Sequence, residues 1–287
     1  MSQKSKGIVF ILMSAFFFAL MNLFVKLSGD LPSMQKSFFR NLVALIFALI
    51  ILLRSEEKFA FQKKNLPLLF ARSIFGTIGI LCNYYAVTHL LLPDASMLGK
   101  LSPFFAILVS YLYLKEKVSP MQAFSVVIAF IGALFIIKPG FTAFTQVFPC
   151  LIGALGGLGA GTAYTMVRKL SLNGERGPFI VLFFSTFSCL VCLPYLLFFY
   201  APMTLYQLAM LLCAGLAASG GQFSVTAAYA NAPARELSIY DYSQVIFAAV
   251  MELMFFHQLP DVWSIVGYCI ICGISIFMFF YNRKQPA

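Results

Sequence analysis

Long apolar stretches separated by short runs of charged and turn residues fill this chain from end to end. Most are about the 20 residues that a helix needs to cross a bilayer, where every backbone polar group must be bonded within the helix. Bounded by charges and prolines, they predict ten spanning helices and so an all-α integral membrane protein. The first runs from about Gly7 to Leu27, after Lys4 and Lys6. It is longer than the core of a cleavable signal and lacks a small-residue cleavage site. The second is about Ser37 to Leu53 and the third about Leu66 to Leu90. Pro93 and Asp94 open a fourth to Leu114, since proline fits the first helical turn and aspartate caps free N–H groups. Ser119 to Ile137 is the fifth, and Phe148 to Leu170 the sixth. Between Arg176 and Arg235 lie 58 uncharged residues, which Pro202 divides into a seventh span, Pro178 to Tyr200, and an eighth, Leu205 to Ala230. The turn from Asn231 to Ala234 opens a ninth, Glu236 to Phe256, and Pro260 and Asp261 open a tenth that ends near Tyr281.

Composition agrees with this pattern. The 287 residues are 61% hydrophobic and 10% charged, with a mean hydropathy of +0.90. A net charge of +10 would suggest nucleic acid in a soluble chain, but no basic cluster beside a polar face exists here, and no nucleic-acid partner is expected. The excess reads instead as topology. Fourteen of the 20 Lys and Arg fall at the span ends that share a side with the termini, against Lys26, Lys36 and Lys138 on the other side. By the positive-inside bias both termini are therefore cytoplasmic, and the protein is a multi-pass protein of the cell membrane. The basic loop 54 to 64 reads as part of this signal rather than as a lipid-binding cluster, because Glu56 and Glu57 interrupt it. Seven cysteines, all in or beside apolar segments, argue against a disulfide framework.

Arg40, Arg72 and Lys100 remain inside spans. A charge at the centre of a lone helix costs about 2.5 to 3.5 kcal/mol on insertion scales, so each needs a partner or a wet cavity. Ser96, Lys100 and Pro103 share a helix face, and Lys100 is expected to face a cavity and meet an acidic group of the substrate, the alternative being a snorkelling or salt-bridged structural lysine. Arg72, Gly76, Gly79 and Asn83 make one small-and-polar stripe on the third span, with Arg72 either lining a site or reaching the headgroups. Asp241, Gln244, Ala248 and Glu252 make another on the ninth. Two carboxylates there are costly unless hydrated, paired or protonated, so Asp241 and Glu252 are candidates for coupling or gating, with interfacial placement the alternative. Tyr84, Tyr164 and Tyr240 can offer hydroxyls and ring faces to a substrate, and Gln222 joins Gln244 as a polar candidate. Gly153, Gly157 and Gly161 step by four residues and are expected to let the sixth helix approach a neighbour, inside the chain or in a homodimer.

The two halves also echo each other. Val25-Lys-Leu-Ser28 returns as Arg168-Lys-Leu-Ser171, Ala86-Val-Thr88 as Ser224-Val-Thr226, and Pro93 as Pro233, at offsets between 138 and 143 residues. Five spans per repeat is odd, so the second copy enters the membrane upside down. The expected organisation is residues 1–138 as one five-helix repeat, 139–147 as a connection and 148–287 as the inverted second repeat.

Phe39-Arg40-Asn41, the stretch from Pro93-Asp-Ala-Ser96 to Ser102-Pro103, and Leu114-Lys-Glu116-Lys-Val-Ser119 together resemble the drug/metabolite transporter superfamily, specifically its EamA branch. The resemblance covers the whole chain and implies ten helices in two five-helix repeats; it also favours a gate or site role for Arg40. The chain departs from the pattern at Gln258, where the second repeat usually has glutamate, and at Phe17 and Phe18, where the first span often has tryptophan.

An intramembrane enzyme is not expected: His89 and His257 are the only histidines, and no H-E-x-x-H or Walker A motif is present. A channel would not require the inverted repeat. The expectation is a secondary active transporter working by alternating access, proton-coupled or exchanging, with no cofactor or metal, as a monomer or homodimer in the lipid bilayer. Its small-molecule substrate is expected to be a small polar metabolite, amino-acid-like and zwitterionic or anionic; the alternative is a broad exporter of cationic or neutral amphiphiles.

Overall fold

A computed structural model describes residues 3–56, 59–102, 104–106, 108–109, 119–137, 144–231 and 240–284. Among these the secondary structure is helical throughout. In chain order the helices are α1 (Gln3–Leu27), α2 (Ser33–Leu53), α3 (Leu66–His89), α4 (Leu92–Gly99), α5 (Pro120–Ile137), α6 (Phe144–Leu172), α7 (Gly177–Phe199), α8 (Leu205–Asn231), α9 (Ser243–Phe256) and α10 (Val262–Lys284). Eight are long and apolar enough to cross a membrane, and α9 is a shorter apolar helix. The chain is thus an all-α integral membrane protein.

Most expected boundaries agree with these helices to within a few residues, and the fourth and ninth differ most. The helix opened by Pro93 stops at Gly99, and Lys100 follows with φ −75° and ψ 3°. Pro103, outside the described residues, has no N–H to offer the Gly99 carbonyl, which explains an interruption here. On the other side α9 is preceded by a turn at Tyr242, whose carbonyl accepts the Val245 N–H at 3.0 Å. Residues 232–239, the expected start of the ninth span, lie outside the described residues, as do 111–118.

The helices pair in a definite order. α1 packs on α8 and α3 on α6; α2 packs on α7, α5 on α10 and α4 on α9. Small residues allow the closest of these approaches. Gly159 of α6 faces the backbone of Gly79 and Phe75, and a Cβ there would come within 2.8 Å of the Phe75 carbonyl. Gly153 and Gly157 lie against Leu98 of α4, and Gly161 against the Ser102 carbonyl just beyond it. The glycine ladder is therefore occupied by neighbours within the chain. Alanine at Gly159 is expected to lower stability by about 1 to 3 kcal/mol, because backbone rather than a flexible side-chain end would have to move. Gly273→Ala, with nothing within 4 Å of its added carbon, is the control. Thermal melts in detergent that fall equally for both would disprove the close-packing account.

Side chains tie the bundle at both ends. At the end where α1 finishes, Gln35 of α2 donates to the Ala201 carbonyl and accepts from its N–H, at 2.9 and 3.0 Å, and Gln207 of α8 donates to the Ser28 carbonyl at 3.2 Å. At the opposite end the buried Glu175, between α6 and α7, accepts the Gln62 N–H at 2.7 Å and the Asn65 amide at 3.2 Å. Lys36, at the end where α1 finishes, is fully buried and donates to the Gly29 carbonyl at 2.6 Å and the Thr88 hydroxyl at 2.8 Å.

Candidate functional site

A cavity of about 140 Å³ opens about half-way along the bundle. Its walls are Phe18, Met21 and Asn22 of α1, Arg40 of α2, and Arg72, Gly76, Gly79, Ile80 and Asn83 of α3. Ser96 and Gly99 of α4 join them with Lys100 and Ser102, as do Gly156, Ala160, Ala163 and Tyr164 of α6. Phe184 of α7, Gln222 and Val225 of α8, Asp241, and Gln244 of α9 complete the lining. The small-and-polar stripe of α3 is a cavity wall along its whole length. Gly76 leaves room beside it, since a Cβ there would run into the Arg72 guanidinium.

Two charged groupings divide the cavity. In the first, Lys100 Nζ donates to Asp241 Oδ2 at 2.6 Å, with the side chains 10% and 22% exposed. The pair joins the two helix interruptions, and the Tyr242 hydroxyl crosses the same gap to the Lys100 carbonyl at 3.3 Å while accepting from Ser275 at 2.6 Å. In the second, the Arg72 guanidinium stands 3.9 Å from the centre of the Phe184 ring and that of Arg40 stands 5.8 Å from the same ring. Both arginines are 3% exposed. Arg40 donates to the Asn41 side chain at 2.6 Å, and the Nε of each arginine has no hydrogen-bond partner among the described residues. Tyr164 lies within electrostatic reach of Arg72, Arg40 and Asp241, bridging the groupings, and the buried Ser96 hydroxyl has no partner among the described residues.

Of the residues singled out from the sequence, Arg40, Arg72, Asn83, Lys100, Tyr164, Gln222, Asp241 and Gln244 come together at this cavity. Asn83 donates to Asn22 at 3.0 Å, linking α3 to α1 across it. Three others lie elsewhere. Tyr84 is buried in the core beside Arg40, and Tyr240 packs against the cluster of Ile11, Val225 and Ala228. Glu252 lies towards the end where α1 finishes, fully buried, accepting from Lys26 at 2.5 Å and from the Leu92 N–H at 3.1 Å. Since Arg72 is buried over a phenylalanine ring, its side chain does not lie on the bundle's outer surface. The sequence reading missed Phe184, one of 33 phenylalanines, although Ser185 and Ser188 mark the protein-facing side of its otherwise apolar helix. It also missed Lys26 as the partner of Glu252, because 226 residues separate them.

Bundle, central polar cavity and broken helices are the features of a membrane transporter. The model of the EamA-like transporter family matches residues 5–138. The pseudopaline exporter of Pseudomonas aeruginosa is 31% identical over 91% of this chain and 91% of its own. Solute carrier family 35 member G1 of Homo sapiens is 26% identical over 97% of this chain and 81% of its own, and the riboflavin transporter of Brucella anthropi is 26% identical over 86% and 88%. A crystal structure of a protein 11% identical superimposes with a TM-score of 0.69 over 99% of both chains, which shows likeness of fold alone. The chain belongs to the EamA-like transporter family of the drug/metabolite transporter superfamily. It is a membrane transporter of small molecules and not an enzyme.

Proposed function

We propose that the protein is a secondary active transporter that moves a small zwitterionic or anionic metabolite across the cell membrane by alternating access. The observation that carries this reading is the meeting of two helix interruptions at the Lys100–Asp241 pair on the wall of the central cavity. Irregular backbone at that depth is tolerated where it lines a site. The relatives' names agree in moving small solutes and differ in the solute, so the substrate class rests on the charges of the lining.

The helix pairing supports two repeats, 1–138 and 148–287. Exchanging each helix of the first five with its counterpart five places on turns the α1–α8 pair into α6–α3, and returns α2–α7, α4–α9 and α5–α10 to themselves. The same exchange turns the Gln35 and Gln207 ties at one end into the Glu175 tie at the other. Interchange of ends is what an inverted repeat requires, because its two-fold axis lies in the membrane plane. With the basic residues at the termini end, both termini are cytoplasmic.

Within the cavity, Lys100 and Asp241 couple the two loads. A proton on Asp241 removes its charge and releases the Lys100 ammonium to the acidic group of a substrate, so proton and substrate bind together. Purified protein in liposomes is expected to show saturable uptake of a carboxylated solute, faster with an inward proton gradient and absent for its amide. In the same vesicles an impermeant thiol reagent should reach a cysteine at position 91 from the side opposite the termini. Flux that does not saturate would point to a channel and overturn the reading.

A further inference from the structure

We infer that Arg40, Phe184 and Arg72 form a subsite for a doubly charged acid, so that the preferred substrate carries two negative charges on one small skeleton. The inference rests on the transporter reading and deepens it. Lys100 already has its counter-ion in Asp241, whereas the two arginines have none among the described residues. Each guanidinium offers five N–H donors. Arg72 spends none on the described protein residues, and Arg40 spends one on Asn41. Two cations that share one phenylalanine ring repel each other and are cut off from bulk water by their burial. A buried charge without a partner costs several kcal/mol per ion, and an anion between them removes both penalties at once.

The remaining lining tells which anion fits. Among the described lining residues there are three cations and one carboxylate, Asp241, which leaves the cavity short of two negative charges. A single carboxylate would satisfy one guanidinium by a bidentate contact and leave the other unpaired. Two acidic groups, or one phosphate monoester with its double charge, satisfy both. Phe184 holds the Arg72 guanidinium by cation–π contact at 3.9 Å, so its donors are in position before the ligand arrives. Gly76 keeps the space into which the Arg72 head folds.

The test uses the full-length protein in detergent, with stabilisation on heating as the measure of binding. Probes are succinate, its half-amide and its diamide for the dicarboxylate arm, and glycerol 3-phosphate against glycerol for the phosphate arm. Wild type is expected to bind the dianion of at least one arm roughly ten- to a hundredfold more tightly than the matched probe lacking a charge. Arg40→Gln and Arg72→Gln should each erase that preference, and Arg72→Lys should restore part of it. Without ligand, both glutamine variants should melt at or above the wild-type temperature, because each removes an uncompensated charge; arginines that merely support the fold would give lower melting. Equal binding of charged and half-amide probes, no stabilisation by either dianion, or a preference that survives both glutamine variants would overturn the inference. Saturable flux without dianion preference would leave the transporter reading standing and remove this subsite. Dianion binding without saturable flux of any solute would do the reverse.

Discussion

Alanine at Glu252 is expected to open the cavity towards the end of the bundle opposite the termini. Both oxygens of this fully buried carboxylate are engaged: one accepts from Lys26 Nζ at 2.5 Å, the other from the Leu92 N–H at 3.1 Å. Lys26 also donates to the Leu90 carbonyl at 3.1 Å and stands 4.5 Å from the Phe256 ring. One ion pair thus fastens the last turn of α1 to the corner between α3 and α4 and to the last turn of α9. Removing one partner of a buried pair costs about 3 to 5 kcal/mol, since the other charge is left without compensation. If the loss falls only on the closed arrangement, the open one gains on the order of a hundredfold or more. The measurement is the rate at which an impermeant thiol reagent modifies Gly99→Cys in a protein without its seven native cysteines; Gly99 lines the cavity and has open space around it. At least a tenfold rise from the far side is the expected result. Lys26→Met combined with Glu252→Leu should recover thermal stability while keeping the raised accessibility. Lower melting with unchanged modification would make the pair a structural tie and not a gate.

The second large effect concerns Lys100 and Asp241. Their pair borders the cavity and keeps some exposure, so water can solvate whichever partner remains after a substitution. Folded protein should therefore survive single neutral variants better than it survives Glu252→Ala. On the proposed reading Lys100→Gln would remove a charge-assisted contact to the substrate acid and should weaken apparent affinity roughly ten- to a hundredfold. Lys100→Arg should recover part of this, because the guanidinium is larger and planar. Asp241→Asn leaves Lys100 permanently free; uptake should lose its dependence on the pH gradient while substrate exchange persists. Wild-type flux and wild-type pH dependence in a double variant, Lys100→Met with Asp241→Leu, would show that the pair only holds the helices together.

Buried charges were legible in the sequence because bilayer spans make them conspicuous: Arg40, Arg72 and Lys100 stand out in apolar stretches, and so does the stripe from Arg72 to Asn83. Partnership was not. Asp241 and Glu252 look alike on one helix, three turns apart, yet one faces the cavity and the other fastens α1. The turn at Tyr242 and the approach of Lys26 separate their roles, and neither follows from spacing.

Span positions, the membrane class and the basic excess on one side follow from local rules, since hydrocarbon demands self-satisfied helices of fixed length and charge sets their orientation. These the chain carried by itself. Which cations have a counter-ion among the described residues was decided by tertiary structure alone, because Lys26 met Glu252 and Lys100 met Asp241, whereas both arginines met the Phe184 ring and Arg40 the Asn41 amide. Coulomb energy depends on distance in space, and residues 226 and 141 positions apart in sequence become neighbours only when the helices pack.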